Sequence, residues 1–284
     1  MGQPGSGEPP CWPERIAEAA GFLRRRLAGD YKVDSSGFDP DFAAHVMLPA
    51  CRVLYRRWFR VRMRGLEHVP ETGAALVVAN HSGVLPFDAL MLQTGVFDEH
   101  PAHRHLRLLG ADLLYALPML ATLARKSGNT VADPEEASRL LTAGELVGVF
   151  PEGFKGIGKP FRDRYRLQRF GRGGFARTAA AAGVPIVPCA IVGAEEIYPM
   201  IANVQPLARL LRLPYFPVTP LFPWLGPAGA IPLPSNWMIE FCRPVPTAGL
   251  GPRSREVSGL AARVRRTIQR KLDALLAERG PAFG

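Results

Sequence analysis

Two short stretches of the chain carry residue types that do acid–base chemistry. The first, Ala75 to Asp88 (ALVVANHSGVLPFD), is an apolar β-type run ending at Asn80, with His81 directly after it and Asp88 seven positions on. The second is another apolar run (Leu146, Val147, Val149, Phe150) that ends in Pro151-Glu152-Gly153-Phe154-Lys155. His81 suits a general base, because an ordinary imidazole titrates near neutrality. A neighbouring carboxylate fixes its tautomer and stabilises the imidazolium formed when the base takes a proton. Asp88 is the closest acid in sequence. Bland readings stand beside these: a histidine after a strand is often only hydrogen-bonded, and Asp88 also reads as the N-cap of a helix over 89–96.

No nucleophile accompanies the pair. The chain has no GxSxG, and Ser82 lacks the strand–turn–helix context of a nucleophile elbow. A base without a nucleophile suits direct transfer, in which an acceptor hydroxyl is deprotonated and attacks an activated acyl group. The oxyanion formed would need donors, for which backbone amides near Gly83 or Gly153 are candidates. Beyond Glu152 the chain is strongly basic: Lys155, Lys159, Arg162, Arg164, Arg166, Arg169 and Arg172, with Gly153, Gly156 and Gly158 interspersed. Glycines let backbone amides approach an anion, and arginine forks grip phosphate. A solvated basic loop is the alternative.

Two strands delivering polar residues at their C-terminal ends imply one site built from distant segments, as in open α/β sheets. The positioning elements follow the same logic. Strands are expected near 61–69, 75–80, 106–109, 147–150, 185–192 and 237–241. Helices are expected over 112–124 (kinked at Pro118), from Asp133 to Gly144, over 172–182, and from Pro252 to Arg279 with Gly280-Pro281 as its end. Strands apolar on both faces that alternate with helices indicate a central, mostly parallel sheet flanked by helices. The expected division is a leader with amphipathic helices over 1–60, then an α/β unit over 61–284 closed by a long C-terminal helix. Residues 1–11 read as a disordered leader.

Composition bounds the partners. The chain has 284 residues, 47% hydrophobic and 21% charged, and a formal charge of +10. That surplus argues for an anionic partner. Asp39 can cap a helix from Pro40, in which Arg52, Arg56 and Arg60 follow at four-residue spacing beside Arg57, Arg62 and Arg64. Tyr55, Trp58 and Phe59 interleave with them. With no acids close in sequence, this reads as an interfacial helix, cations on lipid phosphates and rings at headgroup depth. A core helix with a solvated basic face is the other reading. Cys11, Cys51, Cys189 and Cys242 are far apart and form no CxxC pair, which reads as reduced and intracellular. His100, His103 and His105 match no standard ligand spacing, so no metal is expected. No secretory signal is apparent. Leu213–Ile239 is uncharged but holds seven prolines, which excludes a spanning helix and leaves an interfacial or groove-lining segment.

The motifs together resemble the glycerolipid acyltransferase family, which includes the 1-acylglycerol-3-phosphate acyltransferases. The family's NH(x)4D, FPEGTR and later apolar VP strand correspond to Asn80-His81…Asp88, Phe150–Lys155 and Ile186-Val187-Pro188, in matching order over roughly 66–245. The resemblance implies an O-acyltransferase in which His81 is the base and Asp88 its partner. Glu152, Gly153 and Lys155 would hold the acceptor's phosphate region, joined by Lys159, Arg162 and Arg164 from the basic run. It implies acyl-CoA or an acyl carrier protein as co-substrate, no bound cofactor, no nucleic-acid partner, and peripheral or monotopic seating on the cytoplasmic face of a membrane. A lysophospholipid such as 1-acylglycerol-3-phosphate is the expected acceptor. A neutral acylglycerol, or a non-catalytic basic membrane-binding protein, is the alternative. Three departures bear on this choice. Six residues, including Pro86, separate His81 from Asp88, so the loop must bulge for them to meet. That HSGxxPxD form is closer to relatives that acylate neutral acceptors. Phe154-Lys155 replaces Thr-Arg, and Asp133-Pro134 stands where the family often has an arginine.

Overall fold

Ala75–Ala79 has no polar residue and no solvent face, so it must be covered on both sides. Its side chains alternate: Ala75, Val77 and Ala79 join one apolar cluster, Leu76 and Val78 the other. The computed structural model describes residues 12–82, 85–116, 118–171, 173–211, 214–251 and 254–283. The expected leader over 1–11, Cys11, the amide of Gly83 and Arg172 lie outside them.

The strands are β1 (Arg62–Arg64), β2 (Ala75–Ala79), β3 (Leu106–Gly110), β4 (Thr130–Val131), β5 (Leu146–Val149), β6 (Ile186–Val192), β7 (Ala202–Asn203), β8 (Pro217–Val218) and β9 (Met238–Phe241). Seven of them form one sheet in the order β1-β9-β6-β2-β5-β3-β4, and β7 and β8 form a separate antiparallel pair. β2 runs parallel to β5 and β6, and β3 runs parallel to β5 and β4. β9 is antiparallel to β6. Parallel neighbours need long crossovers, supplied here by helices Phe87–Glu99, Pro134–Thr142 and Gly174–Ala182. The C-terminal ends of β2, β3, β5 and β6 therefore share one edge with the start of β9.

One sheet face is covered by helix Phe87–Glu99 and the helical run over 40–58, whose Leu48, Cys51, Tyr55 and Phe59 are buried. The other is covered by Pro134–Thr142, Gly174–Ala182 and the long helix Arg255–Arg279. The 40–58 run begins as expected, with Asp39 accepting from the Phe42 amide at 2.9 Å. Its turns widen to π-helix at Ala43–Met47, just before Pro49, whose ring lacks the N–H a regular turn would use. Helix Trp12–Ala28 is tied to it by Arg26 on Asp39 at 2.6 Å and Arg25 on Asp41 at 2.6 Å.

The expectation that the arginines of this run face no acids does not hold in three dimensions. Arg52 grips Asp98 at 2.7 Å, Arg56 reaches the same carboxylate at 3.4 Å, and Arg64 pairs with Glu278 at 2.7 Å. Tyr55 and Phe59 turn into the core, Phe59 against Trp237 with ring centroids 4.7 Å apart. Trp58 donates to the Pro232 carbonyl at 3.0 Å. Two of the three stripe aromatics are core packing, Trp58 stays exposed, and acids from distant segments neutralise part of the basic face. Other differences are smaller. The strand expected over 61–69 stops at Arg64 because Leu66–His68 coils into a 3₁₀ turn. The 112–124 helix is two pieces, Asp112–Tyr115 and Pro118–Lys126. The last helix starts at Arg255, capped by the Ser254 hydroxyl on the Val257 amide, so Pro252 precedes it.

Arg279, at the end of that last helix, forms a two-pronged pair with Glu196 beyond β6 at 2.5 and 2.6 Å, with both side chains buried. Removing one member leaves the other charge desolvated and unpaired. Arg279→Met is expected to lower unfolding free energy by about 3–5 kcal/mol, and Arg279→Met with Glu196→Gln by clearly less. Urea unfolding of both variants measures this.

Candidate active site

His81 stands two residues beyond the end of β2, and the intervening Asn80 fixes where it stands. The Asn80 side-chain amide donates to the Ile191 carbonyl at 2.9 Å and its oxygen accepts from the Ile191 amide at 2.7 Å. This two-bond clamp substitutes for ladder bonds at the point where β2 leaves the sheet. His81 Nδ1 then meets Asp88 Oδ2 at 2.6 Å. Pro86 turns the chain into helix Phe87–Glu99, so Asp88 stands inside the first helical turn, not at the cap position. Its Oδ2 also accepts from the Ser82 amide at 2.9 Å, and its Oδ1 from the Ala89 amide at 2.8 Å. The carboxylate is completely buried. The longer intervening loop thus brings the two side chains together.

With Nδ1–H directed to Asp88, Nε2 carries the imidazole lone pair and has no hydrogen-bond partner among the described residues. The ring lies flat on Phe150, centroids 4.5 Å apart, and is mostly shielded from solvent. Burial pulls the His81 pKa down, but the charge and hydrogen bond of Asp88, aided by Glu152, outweigh it and leave it above the ordinary 6.5. A charged neighbour of fixed position here holds a base in the tautomer that can take a proton.

Glu152 reaches the same place from β5. It is buried, its Oε1 accepting from the His81 backbone amide at 3.1 Å and its Oε2 from the Gln168 amide at 2.6 Å. Both carboxylate oxygens thus hold backbone, tying the end of β2 to the segment after β5. Gly153 permits this geometry: its φ of +54° is strained for an L side chain, and it turns the chain so that Glu152 points inward while Phe154 and Lys155 face outward. The Gly153 amide already donates to the Phe150 carbonyl at 3.1 Å, so it is engaged and not free as an oxyanion donor.

The basic residues divide. Lys155 is exposed next to the site. Lys159 is buried, its ammonium 2.8 Å from Glu195 and 3.3 Å from the Arg166 carbonyl. Instead of presenting a free charge to a phosphate, it balances the interior acids. Burial pushes the Glu195 carboxyl up to about 7 despite this lysine, and burial likewise raises Glu152. Arg162 and Arg164 line a surface cleft with Arg279 and Phe283 that includes none of His81, Asp88 or Glu152. The structure does not gather them at the pair.

Several positioning residues escape sequence reasoning. Gln168 is held over Glu152 because Gln269 accepts from the Leu167 amide at 3.0 Å and Arg265 donates to the Gln168 carbonyl at 3.0 Å. Nothing local marks those partners, which come from the last helix. Tyr215, from the excursion over 193–237, is also brought near, and its hydroxyl is pushed up to about 12 by burial and by the charge of Asp88. Glu195 had a usable signal: it follows a fully apolar strand, as His81 and Glu152 do. The described residues contain no group of histidine, cysteine and acid side chains placed to hold a metal. His100 donates from Nε2 to the Val69 carbonyl, 3.0 Å away, while its Nδ1 accepts from the Ala102 amide.

Comparison with known proteins finds likenesses of sequence and of fold. A family described as Acyltransferase matches residues 60–192. An uncharacterised protein of Mycobacterium tuberculosis is 56% identical over 272 residues, covering 94% of this chain and 76% of its own length. A bovine protein named DGAT1/2-independent enzyme synthesizing storage lipids is 23% identical over 165 residues, covering 58% of this chain and 48% of its own. Among solved structures, the 1-acyl-sn-glycerophosphate (LPA) acyltransferase PlsC of Thermotoga maritima shares the fold with a TM-score of 0.56 at 18% identity, over 93% of this chain and 97% of that one.

Because the native imidazole holds its proton more tightly than an unfolded one, the His81–Asp88 pair stabilises the fold fully below 6.5, and that contribution is lost as pH rises through the raised native value. NMR titration should place the His81 midpoint above 6.5. In Asp88→Asn it should fall, since burial then works against less negative charge. A wild-type midpoint at or below the ordinary value would contradict the geometry.

Proposed function

Because this chain belongs to the acyltransferase family and is an acyltransferase, we propose that it moves an acyl chain from acyl-CoA, or an acyl carrier protein, to the hydroxyl of a lysophospholipid such as 1-acylglycerol-3-phosphate. The observation that carries this reading is the buried His81–Asp88 pair with Nε2 open. His81 Nε2 takes the acceptor hydroxyl proton, and the oxygen attacks the thioester carbonyl carbon. As the tetrahedral intermediate collapses, the new C–O ester bond remains and the C–S bond breaks. The leaving thiolate takes the proton back from the imidazolium. Asp88 keeps the ring oriented and stabilises its charged form throughout.

Direct transfer is supported by the lack of a competing nucleophile among the described residues. The Ser82 hydroxyl is buried, and the thiols of Cys51, Cys189 and Cys242 are buried and held above their ordinary pKa by desolvation. The reaction as written needs no bound cofactor or metal. Lys155, exposed beside Glu152, is the cation best placed for an acceptor phosphate. Peripheral seating on the cytoplasmic face of a membrane fits a lipid acceptor and the +10 charge. No helix among the described residues is long and apolar enough to cross a membrane.

A neutral acylglycerol acceptor is a second reading with its own support. Lys159 is engaged with Glu195, and Arg162 and Arg164 stand apart from the pair, which leaves few cations for a phosphate. The printed name of the bovine relative concerns storage lipids. The two readings share one mechanism.

Radiolabelled acyl-CoA offered with lysophosphatidic acid, other lysophospholipids, monoacylglycerol and diacylglycerol should acylate lysophosphatidic acid best. A neutral glyceride winning would replace the acceptor and keep the chemistry, whereas free fatty acid released regardless of acceptor would indicate a hydrolase. His81→Ala should lower transfer by about 100- to 10,000-fold, the usual worth of a positioned base, with fold intact. Unchanged turnover in that variant would remove His81 from the mechanism.

A further inference from the structure

The large apolar residues left exposed fall mostly in two regions: the N-terminal helical segment, with Leu23, Leu27 and Val53, and the larger group at the end of the sheet that carries His81. Two long excursions leave and re-enter the sheet at the edge that carries His81. The first, 111–129, departs from β3 and returns into β4, whose residues pair with Leu109 and Gly110, the last two of β3. The second, 193–237, departs from β6 and returns into β9, with Val192 opposite Met238. Both are therefore confined to that end. Each presents large apolar side chains outward.

On helix Pro118–Lys126, Met119, Leu120 and Leu123 share one helical face, and all three are exposed, Met119 by 87%, whereas Ala124 is the buried residue of the helix. This helix shows its apolar face to the outside. In the second excursion Leu210 is 77% and Trp224 74% exposed, and Ile231 is exposed too. Leu85 and Phe154, on the two loops that carry the acid–base residues, are exposed too. Large apolar side chains gathered at one end of a monomer and left in water mark a surface that meets a partner.

Charge identifies the partner. Arg125, Lys155 and Arg209 are exposed on these same segments. Of the acids there, Glu152, Glu195 and Glu196 are buried and paired or bonded inward, which leaves Asp112 and Asp163. Apolar tips that include an exposed tryptophan, ringed by cations, match an anionic bilayer surface, whose acyl boundary takes the tips and whose phosphates meet the cations. A protein groove would require shape and matching acceptors; a bilayer requires only this layering.

We propose that the sheet edge bearing His81 is the bilayer-docking face of this protein, with helix Pro118–Lys126 and the tip around Trp224 as its inserted parts. This rests on the reading that the protein acylates a lipid, and it relocates the membrane contact from the basic helical run over 40–58, whose Tyr55 is buried and whose Arg52 and Arg56 are paired with Asp98. Docking in this pose sets the open Nε2 of His81 toward the layer from which the acceptor comes. No residue of the inserted helix belongs to the acid–base machinery.

The test is sedimentation with phosphatidylcholine vesicles containing phosphatidylglycerol. The Met119→Asp/Leu123→Asp variant should bind at least about 10-fold more weakly than wild type, because its apolar face is lost. Its transfer from a short-chain acyl-CoA to a short-chain lysolipid below its micelle concentration should be unchanged, and that turnover also certifies its fold. Trp224→Phe should lose most of the vesicle-induced blue shift in tryptophan fluorescence. Arg125→Gln/Arg209→Gln should weaken binding to the anionic vesicles and leave binding to pure phosphatidylcholine unaltered. Equal vesicle binding by wild type and Met119→Asp/Leu123→Asp would overturn the proposal. So would loss of binding in Leu23→Asp/Leu27→Asp on the N-terminal helix with Met119→Asp/Leu123→Asp unaffected. A dimer that Met119→Asp/Leu123→Asp dissociates, in a protein that ignores vesicles, would make the face a contact between copies and overturn it likewise. If no acceptor is acylated by wild type, the functional reading fails while sedimentation and fluorescence still decide the docking face.

Discussion

The structure depends on one costly arrangement: a carboxylate and an imidazole held together out of water at the end of a parallel sheet. An isolated buried carboxylate would protonate or unfold its surroundings. Asp88 is tolerable because every lone-pair direction that matters is occupied, by His81 Nδ1, the Ser82 amide and the Ala89 amide. Those bonds work only if the turn after β2, the start of helix Phe87–Glu99 and the ring of His81 keep fixed relative positions. Asn80 supplies the first constraint by holding β2 to β6, and Glu152 the second by holding the His81 backbone to the segment after β5. The remaining scaffold, including the long C-terminal helix that carries Gln269 and Arg265, fixes Glu152's other oxygen through Gln168.

The electrostatics of this end follow from the same arrangement. Three acids, Asp88, Glu152 and Glu195, converge inside the protein, and Lys159 is the interior cation set among them. The excess of negative charge is what lets His81 overcome its burial and hold its proton more firmly than in water. In the proposed mechanism this imidazole accepts a proton from a hydroxyl of much higher pKa and returns it to a thiolate. The outside of the same edge is opposite in character, apolar and cationic. On the proposed function, a dry reactive centre with an apolar and cationic rim suits a substrate drawn from a bilayer, since desolvation strengthens the charges within.

What could be read from the linear chain was whatever depends on local pattern. Fully apolar runs of five to seven residues mark buried parallel strands, as in Ala75–Ala79 and Ile186–Val192. The polar residue that ends each such run falls at the strand's C-terminal edge, which identifies His81 and Glu152 without any knowledge of pairing. Proline and capping residues place helix starts, as at Asp39 and Asp133. Pairings between distant charges leave no local trace. Arg52 finds Asp98, Arg64 finds Glu278, and Lys159 finds Glu195. Those contacts pair residues that look like a free basic surface, at the surface for Arg64 and inside for Lys159, which is why the membrane reading of the 40–58 run and the phosphate reading of Lys159 both look stronger in one dimension than in three.

By itself, then, the sequence determined the α/β alternation, the edge of the sheet where chemistry belongs, and the identity of the acid–base pair as candidates, because each rests on periodicity and on residue type. Only the tertiary structure decided that the lengthened loop closes His81 onto Asp88 at 2.6 Å, that Glu152 serves the backbone with both oxygens, and that the apolar faces of two remote excursions emerge beside the site. The reason is physical. Hydrogen-bond partners and exposed faces are properties of neighbours in space, and a chain that lays seven strands into one sheet draws those neighbours from segments as far apart as Arg64 and Glu278.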